Sequence, residues 1–446
     1  MAAMSSGRKV RASKVAKGGT LSTRKHRFQS FSQRIAKLKI DPIHRGRLPD
    51  LDDSTATSYF QMTLDRWKDL NVSEGFSDFV KAVKPYCESL PQILHYQEEI
   101  MGTLVRYLEK WDALSLEPLL DLLSNFAHDL GTRFECCFAK SLRLVSSLAA
   151  KHSDVEVVEW SFECLAWLFK YLSRLLVPDL RPVFEIMGPL LGKEPQKTHT
   201  TRFAAEALSF LIRKAATIYH KNRTPLDQIV RYIVKDLTSV DVSSTSRELY
   251  QHGLMTLFVE SIKGIDRGLH STGVQVYRCL LEHTLLPVND ERDKGADLAS
   301  GITIGILQIT DAHSFQPILE VVLEHIRALH LGSQDTNIGN GGYLLFVAVS
   351  VRKGSRIADW APVLDALLTL LELCDISSDK TVANIYKAAA VALSLSPLEL
   401  LISRLRAAMG FIAHKRHVQH FLAFCNDLCS LNRDRFRSMV FPYFNK

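Results

Sequence analysis

The feature that most limits how this chain can fold is a helical pattern of apolar side chains, which starts after Pro49 and continues to the C-terminal end. Apolar residues recur every three or four positions, the period of an amphipathic helix. Breakers such as Gly131 and Gly264 divide the pattern into helices of about 20 residues. Two such helices make a repeat of about 40 residues, which is typical of HEAT repeats. The sequence therefore predicts an all-α, HEAT/armadillo-like helical-repeat solenoid.

Several predicted helices are apolar around most of their circumference. The segment 154–177 is the strongest example, with Val157, Trp160, Phe162 and Phe169 on different sides. Such a helix must be covered on both flanks, as a central solenoid helix is. No apolar/polar alternation is long enough to indicate a sheet. The alternative is a compact helical domain of irregular topology, and the even helix spacing favours the solenoid.

Positive charge is concentrated at the N-terminus. Residues 1–47 contain 13 Lys and Arg and a single acid, Asp41, whereas the whole chain carries only +7, so the remainder is mildly acidic. Residues 1–27 have too few apolar side chains to offset the entropy of ordering. We therefore predict a disordered basic tail over 1–27, a basic arm with a short helix over 28–48, and the solenoid over 49–446.

The basic arm and tail are the candidate RNA-binding segment. A flexible segment rich in cations suits salt-dependent contacts with phosphates, and the same composition can serve as a nuclear address. Its only aromatic residues, Phe28 and Phe31, are too few to stack bases, so we expect little sequence specificity. The alternative is a tail that only increases the solubility of the protein. The predicted RNA-binding residues are Arg8, Lys9, Arg11, Lys14, Lys17, Arg24, Lys25, Arg27, Arg34, Lys37, Lys39, Arg45 and Arg47.

A search for catalytic and cofactor motifs indicates a protein that is not an enzyme and needs no cofactor. The segment 188–193 resembles a phosphate-binding loop. However, three residues separate its glycines where the motif has four, and Glu194 occupies the position that requires Ser or Thr. Gly339-Asn340-Gly341-Gly342 lacks the context of a dinucleotide site and predicts a flexible joint before an apolar helix. Carboxylate pairs such as Glu98-Glu99, and Glu156 with Glu159, suit helix surfaces and helix starts.

The best metal candidate is a group of histidines and cysteines near the C-terminal end. Its spacing matches no standard zinc module, and both cysteines fall at core positions, so we expect a structural role and no metal site. The group comprises His414, His417, His420, Cys425 and Cys429. All eight cysteines are scattered through predicted helices, which favours reduced thiols in an intracellular protein.

No segment is predicted to span a membrane, because the most apolar stretch, 160–177, is interrupted by Glu163, Lys170 and Arg174. The N-terminus has no apolar core after its basic residues, so it is not a secretory signal. The chain ends without a polar capping repeat, and we expect it to be the front part of a longer protein.

Eleven segments carry a resemblance to a known family. They are Phe31–Arg45, Ser58–Phe60, Leu64–Trp67, Glu88–Leu94, Leu114–Leu120, Phe126–Gly131, Asp154–Phe162, Leu165–Lys170, Leu175–Arg181, Arg202–Glu206 and Phe210–Lys214. Together they resemble the N-terminal region of component 20 of the small-subunit processome, also called the down-regulated-in-metastasis family, and most of all its fungal members. The resemblance is strongest over residues 28–215.

The resemblance implies a very large helical-repeat protein of the nucleolus, without catalytic residues, that acts as a scaffold in pre-rRNA processing and small-subunit biogenesis. Its expected partners are preribosomal particle proteins, together with pre-rRNA or small nucleolar RNA bound through the basic arm. No membrane or small-molecule substrate is expected. The alternative is a HEAT-repeat nuclear transport factor or another protein-interaction adaptor, although such receptors rarely carry a strongly basic arm.

Overall fold

The computed structural model describes residues 26–44, 58–110, 112–192, 197–239, 244–264, 268–284, 301–306, 312–350, 357–413 and 417–441. These residues form helices, the turns that join them, and an isolated β-bridge between Lys263 and Leu269, with no strand among them. The all-α prediction is confirmed. Most of the predicted tail, 1–25, lies outside the described residues. The chain divides into unit 1, residues 1–176 and 182–207, and unit 2, residues 177–181 and 208–446.

The helices of unit 1 form two layers. In one layer α2 packs on α6 and α6 on α8, and in the other α3 packs on α5 and α5 on α7. Each helix thus meets the next member of its own layer, as in helical-repeat proteins. The helices are α1 (Phe31–Lys37), α2 (Tyr59–Asp69), α3 (Glu74–Val83), α4 (Leu90–His95), α5 (Gln97–Glu109), α6 (Ala113–Leu130), α7 (Glu135–Lys151), α8 (Val155–Leu176), α9 (Arg181–Met187) and the part of α10 (Thr198–Ile218) up to residue 207. Short 3₁₀ turns are Lys84–Tyr86, Gly131–Phe134 and Gly188–Gly192.

Unit 2 repeats this arrangement. Its helices are the rest of α10, α11 (Thr224–Ser239), α12 (Ser244–Ile262), α13 (Gly273–Thr284), α14 (Ala312–Arg327), α15 (Asp335–Ser350), α16 (Ala361–Glu372), α17 (Asp379–Leu395), α18 (Leu398–Ile412) and α19 (Val418–Leu431). Unit 2 also contains a helical stretch over residues 301–306, a 3₁₀ turn (Cys374–Ile376) and a terminal helical segment (Arg433–Arg435, then Phe436–Val440). One layer runs α11, α13, α14, α16 and α18, and the other runs α15, α17 and α19.

The first helix of the body is α2, which starts at Tyr59. Residues 45–57, just before its N-cap, lie outside the described residues. Ser58 is the N-cap, and its hydroxyl donates to the buried carboxylate of Asp129 at 2.6 Å. The same carboxylate accepts the N–H groups of Tyr59 and Phe60. Burial raises the pKa of Asp129, and these hydrogen bonds oppose that rise.

The flexible joint predicted at Gly339–Gly342 is wrong, because these residues lie inside α15. A Cβ atom on Gly339 would stand 2.7 Å from Oγ1 of Thr381, and one on Gly342 would stand 2.8 Å from Cγ1 of Ile385. Both neighbours belong to α17. The glycines are therefore required for close packing of two helices, and hydrogen bonding and packing hold them in the helix.

Helix α8 is the centre of unit 1. Fifteen of its 22 residues are buried, because α6, α7 and the short helix α1 all pack against it. This agrees with its apolar residues on several sides, which must all be covered. Because α1 belongs to the basic N-terminal segment, this contact attaches that segment to α8.

Candidate nucleic-acid interface

The described part of the basic arm, residues 26–44, contains one short helix with a well-formed start. The hydroxyl of Ser30 accepts the N–H of Gln33 at 3.2 Å, and the N–H of Ser30 donates to the Gln33 side chain at 3.0 Å. This capping box satisfies two free donors at the helix start. A helix of seven residues cannot persist on its own, so its packing on α8 must stabilise it.

Phe31 is the apolar anchor of the arm. Its side chain is fully buried between Phe169 of α8 and Phe203 of α10, with ring centroids 6.2 and 5.5 Å away. Its N–H donates to the carboxylate of Glu206 at 2.7 Å. Such edge-on aromatic contacts are favourable beyond the area they bury, and a hydrogen bond to a charged group is stronger than a neutral one. Both interactions fix the start of α1 to unit 1.

A second aromatic residue holds the segment just before the helix. The ring of Phe28 stacks on His199, with centroids 4.5 Å apart. Burial lowers the pKa of His199, and nearby Lys197 and His26 lower it further. The imidazole is therefore neutral at pH 7 and serves as a flat packing surface.

Arg34 is bound to the body of unit 1. Its side chain is only 6% exposed, and its guanidinium forms an ion pair with Glu159 of α8. The guanidinium also lies 5.7 Å from the ring centre of Phe162. Glu159 accepts a further hydrogen bond from His26 at 3.0 Å when that ring carries its proton on Nε2. The RNA contact of Arg34 stays a prediction, and the structure adds a contact with Glu159 that holds the arm on α8.

A lysine of the body caps the other end of α1. The ammonium of Lys170 donates to the carbonyls of Ile35 and Leu38 at 3.0 and 2.6 Å. Cations are favourable at the C-terminal end of a helix, where carbonyls lack partners and the dipole is negative. Lys170, which the sequence offered only as an interruption of an apolar stretch, therefore orients the arm.

The arm continues along α8 beyond its helix. The N–H of Ile43 donates to the carbonyl of Tyr171 at 2.9 Å, and His44 contacts Arg174 one turn further on. The side chain of Ile43 lies against Gly131, whose φ of +55° favours glycine. Residues 26–44 are thus bound to unit 1 at both ends, and we call them the docked arm.

The docked arm presents three of the predicted cations to solvent. Arg27, Lys37 and Lys39 are exposed, and the ammonium of Lys37 donates to the Gln29 side chain at 2.8 Å. Arg27 lies at the start of the docked arm, whereas Lys37 and Lys39 lie at and just after the C-terminal end of α1. The remaining predicted residues, Arg8, Lys9, Arg11, Lys14, Lys17, Arg24, Lys25, Arg45 and Arg47, lie outside the described residues.

The histidines and cysteines near the C-terminal end pack as structural groups in the part of the chain that is described. The rings of His417 and His420 face Tyr386, and His420 lies 3.4 Å from the carboxylate of Asp379. Burial raises the pKa of Cys425 to about 11, so this thiol keeps its proton. His414 is outside the described residues. All eight cysteines are free thiols.

Within the described ranges, no helix combines the length and apolar character needed to cross a membrane.

Two curated proteins are similar to this chain over most of its length. U3 small nucleolar RNA-associated protein 20 of Schizosaccharomyces pombe is 32% identical over 424 residues, which are 93% of this chain and 16% of the relative. The protein of the same name from Saccharomyces cerevisiae is 33% identical over 369 residues, 81% of this chain and 14% of the relative. The chain therefore spans about one sixth of the length of these relatives. The resemblance predicted from the sequence is confirmed.

Two other comparisons add nothing to this assignment. No family model matches the chain. Among solved structures, an engineered protein aligns with 84% of this chain and 99% of its own, at 12% identity and a TM-score of 0.28, a likeness too low to support any argument.

Proposed function

We propose that this chain, a relative of U3 small nucleolar RNA-associated protein 20 along nearly all of its length, is a non-catalytic scaffold segment of the small-subunit processome. It would act in the nucleolus, in pre-rRNA processing and small-subunit biogenesis. The observation that carries the proposal is the continuity of the similarity, which covers 93% of the chain and therefore most of both helical units. A match confined to one motif would support far less.

The two helical units supply the protein-binding part of this function. Layered helices expose long surfaces that suit large partners better than small substrates. The chain outside residues 1–47 is mildly acidic, since the basic residues are concentrated before Leu48. Opposite charge favours association, so the helical units suit basic preribosomal proteins.

The docked arm and the tail before it supply the RNA-binding part. The anchors on α8 fix where the cationic segment leaves unit 1, while Arg27, Lys37 and Lys39 stay exposed around that point. Each cation that neutralises a phosphate releases a counterion, which makes binding weaker as salt rises. The arm therefore favours contact with the backbone of pre-rRNA or small nucleolar RNA without reading its sequence.

A salt titration tests the RNA contacts of the docked arm. Arg27, Lys37 and Lys39 are changed together to Gln in the 446-residue chain, and binding to a single-stranded RNA is measured across salt concentrations. The slope of log K against log salt should fall by roughly 0.7 for each phosphate that is no longer neutralised, or about 2 in total. The matched control changes Lys68, Lys81 and Lys110, which are exposed lysines of unit 1 outside the arm. An equal change in slope in the control, or none in the arm variant, would contradict the RNA contact.

Particle association tests the scaffold role separately. The tagged chain should remain with particles containing U3 small nucleolar RNA through washes at high salt, since salt screens the attraction between opposite charges but not the apolar contacts buried with them. Release of the chain in such washes, together with binding to a small GTPase that depends on its nucleotide, would instead support a transport adaptor.

A further inference from the structure

Three side chains with metal-binding groups converge in unit 2. Asp227 lies in the first turn of α11, while Cys279 and His283 lie one turn apart on α13. The thiol of Cys279 donates to Oδ1 of Asp227 at 3.0 Å, and Nε2 of His283 is 3.5 Å from the same oxygen. The three potential ligand atoms all lie within 4.8 Å of one another. A carboxylate, a thiol and an imidazole are thus directed at one point.

The histidine of this cluster has a buried ring nitrogen without a hydrogen bond. The side chain of His283 is only 9% exposed, and its Nε2 is buried without a hydrogen bond. Buried polar atoms without a hydrogen bond are rare in folded proteins and call for an explanation. A ligand between Nε2 and the two neighbouring groups would provide one.

We propose that Asp227, Cys279 and His283 bind a zinc ion, with a water molecule as the fourth ligand. Zinc accepts sulfur, nitrogen and oxygen ligands together in a tetrahedral shell. Bonds of about 2.0–2.3 Å place neighbouring ligand atoms about 3.3–3.7 Å apart in such a shell. Asp227 Oδ1 lies 3.0 Å from the sulfur and 3.5 Å from Nε2, both close to that range, and all three atoms lie within 4.8 Å of one another, so small side-chain adjustments suffice.

Exposure and charge around the cluster are compatible with an ion. Cys279 is fully buried, whereas the side chain of Asp227 is 33% exposed, which leaves a route for the metal and its water. The nearby cation, Arg223, lies 3.5 Å from Asp227 and also interacts with the Cys279 sulfur, but it pairs with Glu282 at 2.8 Å. Glu282 therefore offsets the guanidinium. With zinc bound, the thiolate, both carboxylates and the guanidinium sum to neutrality with the ion.

Binding exchanges a proton for the metal. In the metal-free cluster the thiol of Cys279 carries its proton and donates it to Asp227. Zinc forms a bond to the sulfur, the S–H bond breaks, and the proton passes to solvent, with no change of oxidation state. The ion would join α11 to α13, neighbours in one layer of unit 2, and this inference does not depend on the proposed function.

Cobalt(II) is the probe for the test, because cobalt bound to a thiolate has an intense ligand-to-metal charge-transfer band that zinc lacks. The metal-free 446-residue chain should bind one equivalent of cobalt with this band, and one equivalent of zinc should abolish it. Zinc should also raise the melting temperature. Absence of the band, or binding that zinc does not displace, would overturn the proposal.

Variants locate the ion. Cys279→Ser should abolish the charge-transfer band, and His283→Gln should weaken cobalt binding at least tenfold. Asp227→Asn, which keeps the side-chain shape, should do the same and serves if Cys279→Ser fails to fold. The matched controls are Cys374→Ser and His325→Gln, a buried thiol and a buried imidazole elsewhere in unit 2, which should bind cobalt like the wild type. Retention of the band in Cys279→Ser, or its loss in Cys374→Ser, would refute this assignment.

Discussion

Removal of the Phe31 ring should release the docked arm and leave the rest of unit 1 folded. The ring is fully buried, and replacing such a phenylalanine with alanine costs about 3–5 kcal/mol. Every 1.4 kcal/mol changes an equilibrium about tenfold, so the population of the open arm should increase by a factor between about 10² and 4 × 10³. The opening is local because the arm is one short helix bound to the outside of α8, and such elements open below the global unfolding free energy.

Amide hydrogen exchange followed by mass spectrometry measures this opening directly. In Phe31→Ala, peptides covering α1 and Ile43 should exchange much faster, while peptides from α5 and α6 keep their protection. Phe441→Ala is the matched control, since it removes the same ring at a site that is 53% exposed. Unchanged protection of α1 would show that Phe31 does not anchor the arm. Equal loss of protection throughout unit 1 would show that the arm is part of its cooperative core.

Two further predictions concern unit 2. Burial lowers the pKa of His325 below its ordinary value of 6.5. The contribution of the neutral imidazole to stability is therefore present above that value and is lost as the pH falls toward the folded-state pKa. His325→Gln should make urea unfolding less sensitive to acid between about pH 7.5 and pH 5.5, and an unchanged pH dependence would refute this. Gly342→Ala should destabilise the chain by about 1–3 kcal/mol through overpacking against Ile385, whereas Gly102→Ala, where a Cβ meets nothing within 4 Å, should stabilise it by up to about 1 kcal/mol in the same denaturation assay.

The sequence was most informative about helices whose own residues determine that they form. The period of apolar residues predicted helices of about 20 residues, and α17 (Asp379–Leu395) is one of them. The sequence was less informative about helix boundaries that depend on backbone geometry. Helix α4 ends at His95 and α5 starts at Gln97, with Tyr96 between them in a non-helical conformation. Nothing in the apolar pattern marks such a break.

Interactions between distant residues could not be predicted from local patterns. Arg34 belongs to a run of cations, and only the structure places it beside Glu159, 125 residues further along the chain. In the same way, the glycines of 339–342 have the composition of a loop, and their role depends on how closely α17 approaches. Charge composition describes a segment as a whole and cannot tell which of its members is buried.

The zinc-site candidate was missed for the same reason. The four-residue spacing of Cys279 and His283 places both on one helix face, which is a weak signal because many buried pairs share it. Asp227 lies 52 residues before Cys279 and completes the cluster only through the packing of α11 on α13. His417 and His420 have a more obvious metal-ligand spacing in the sequence, but in the structure they pack around Tyr386.

The distance along the chain between Phe31 and its partners also sets an order of events during synthesis. Glu206 follows Phe31 by 175 residues, so the ribosome must make α10 before the arm can dock. Until α8 has emerged, Arg34 cannot reach its ion-pair partner and Phe31 has no complete pocket. If residues 1–47 bind RNA as proposed, an RNA that meets the growing polypeptide can bind the whole cationic segment first, and the finished fold must then compete with the RNA for that segment.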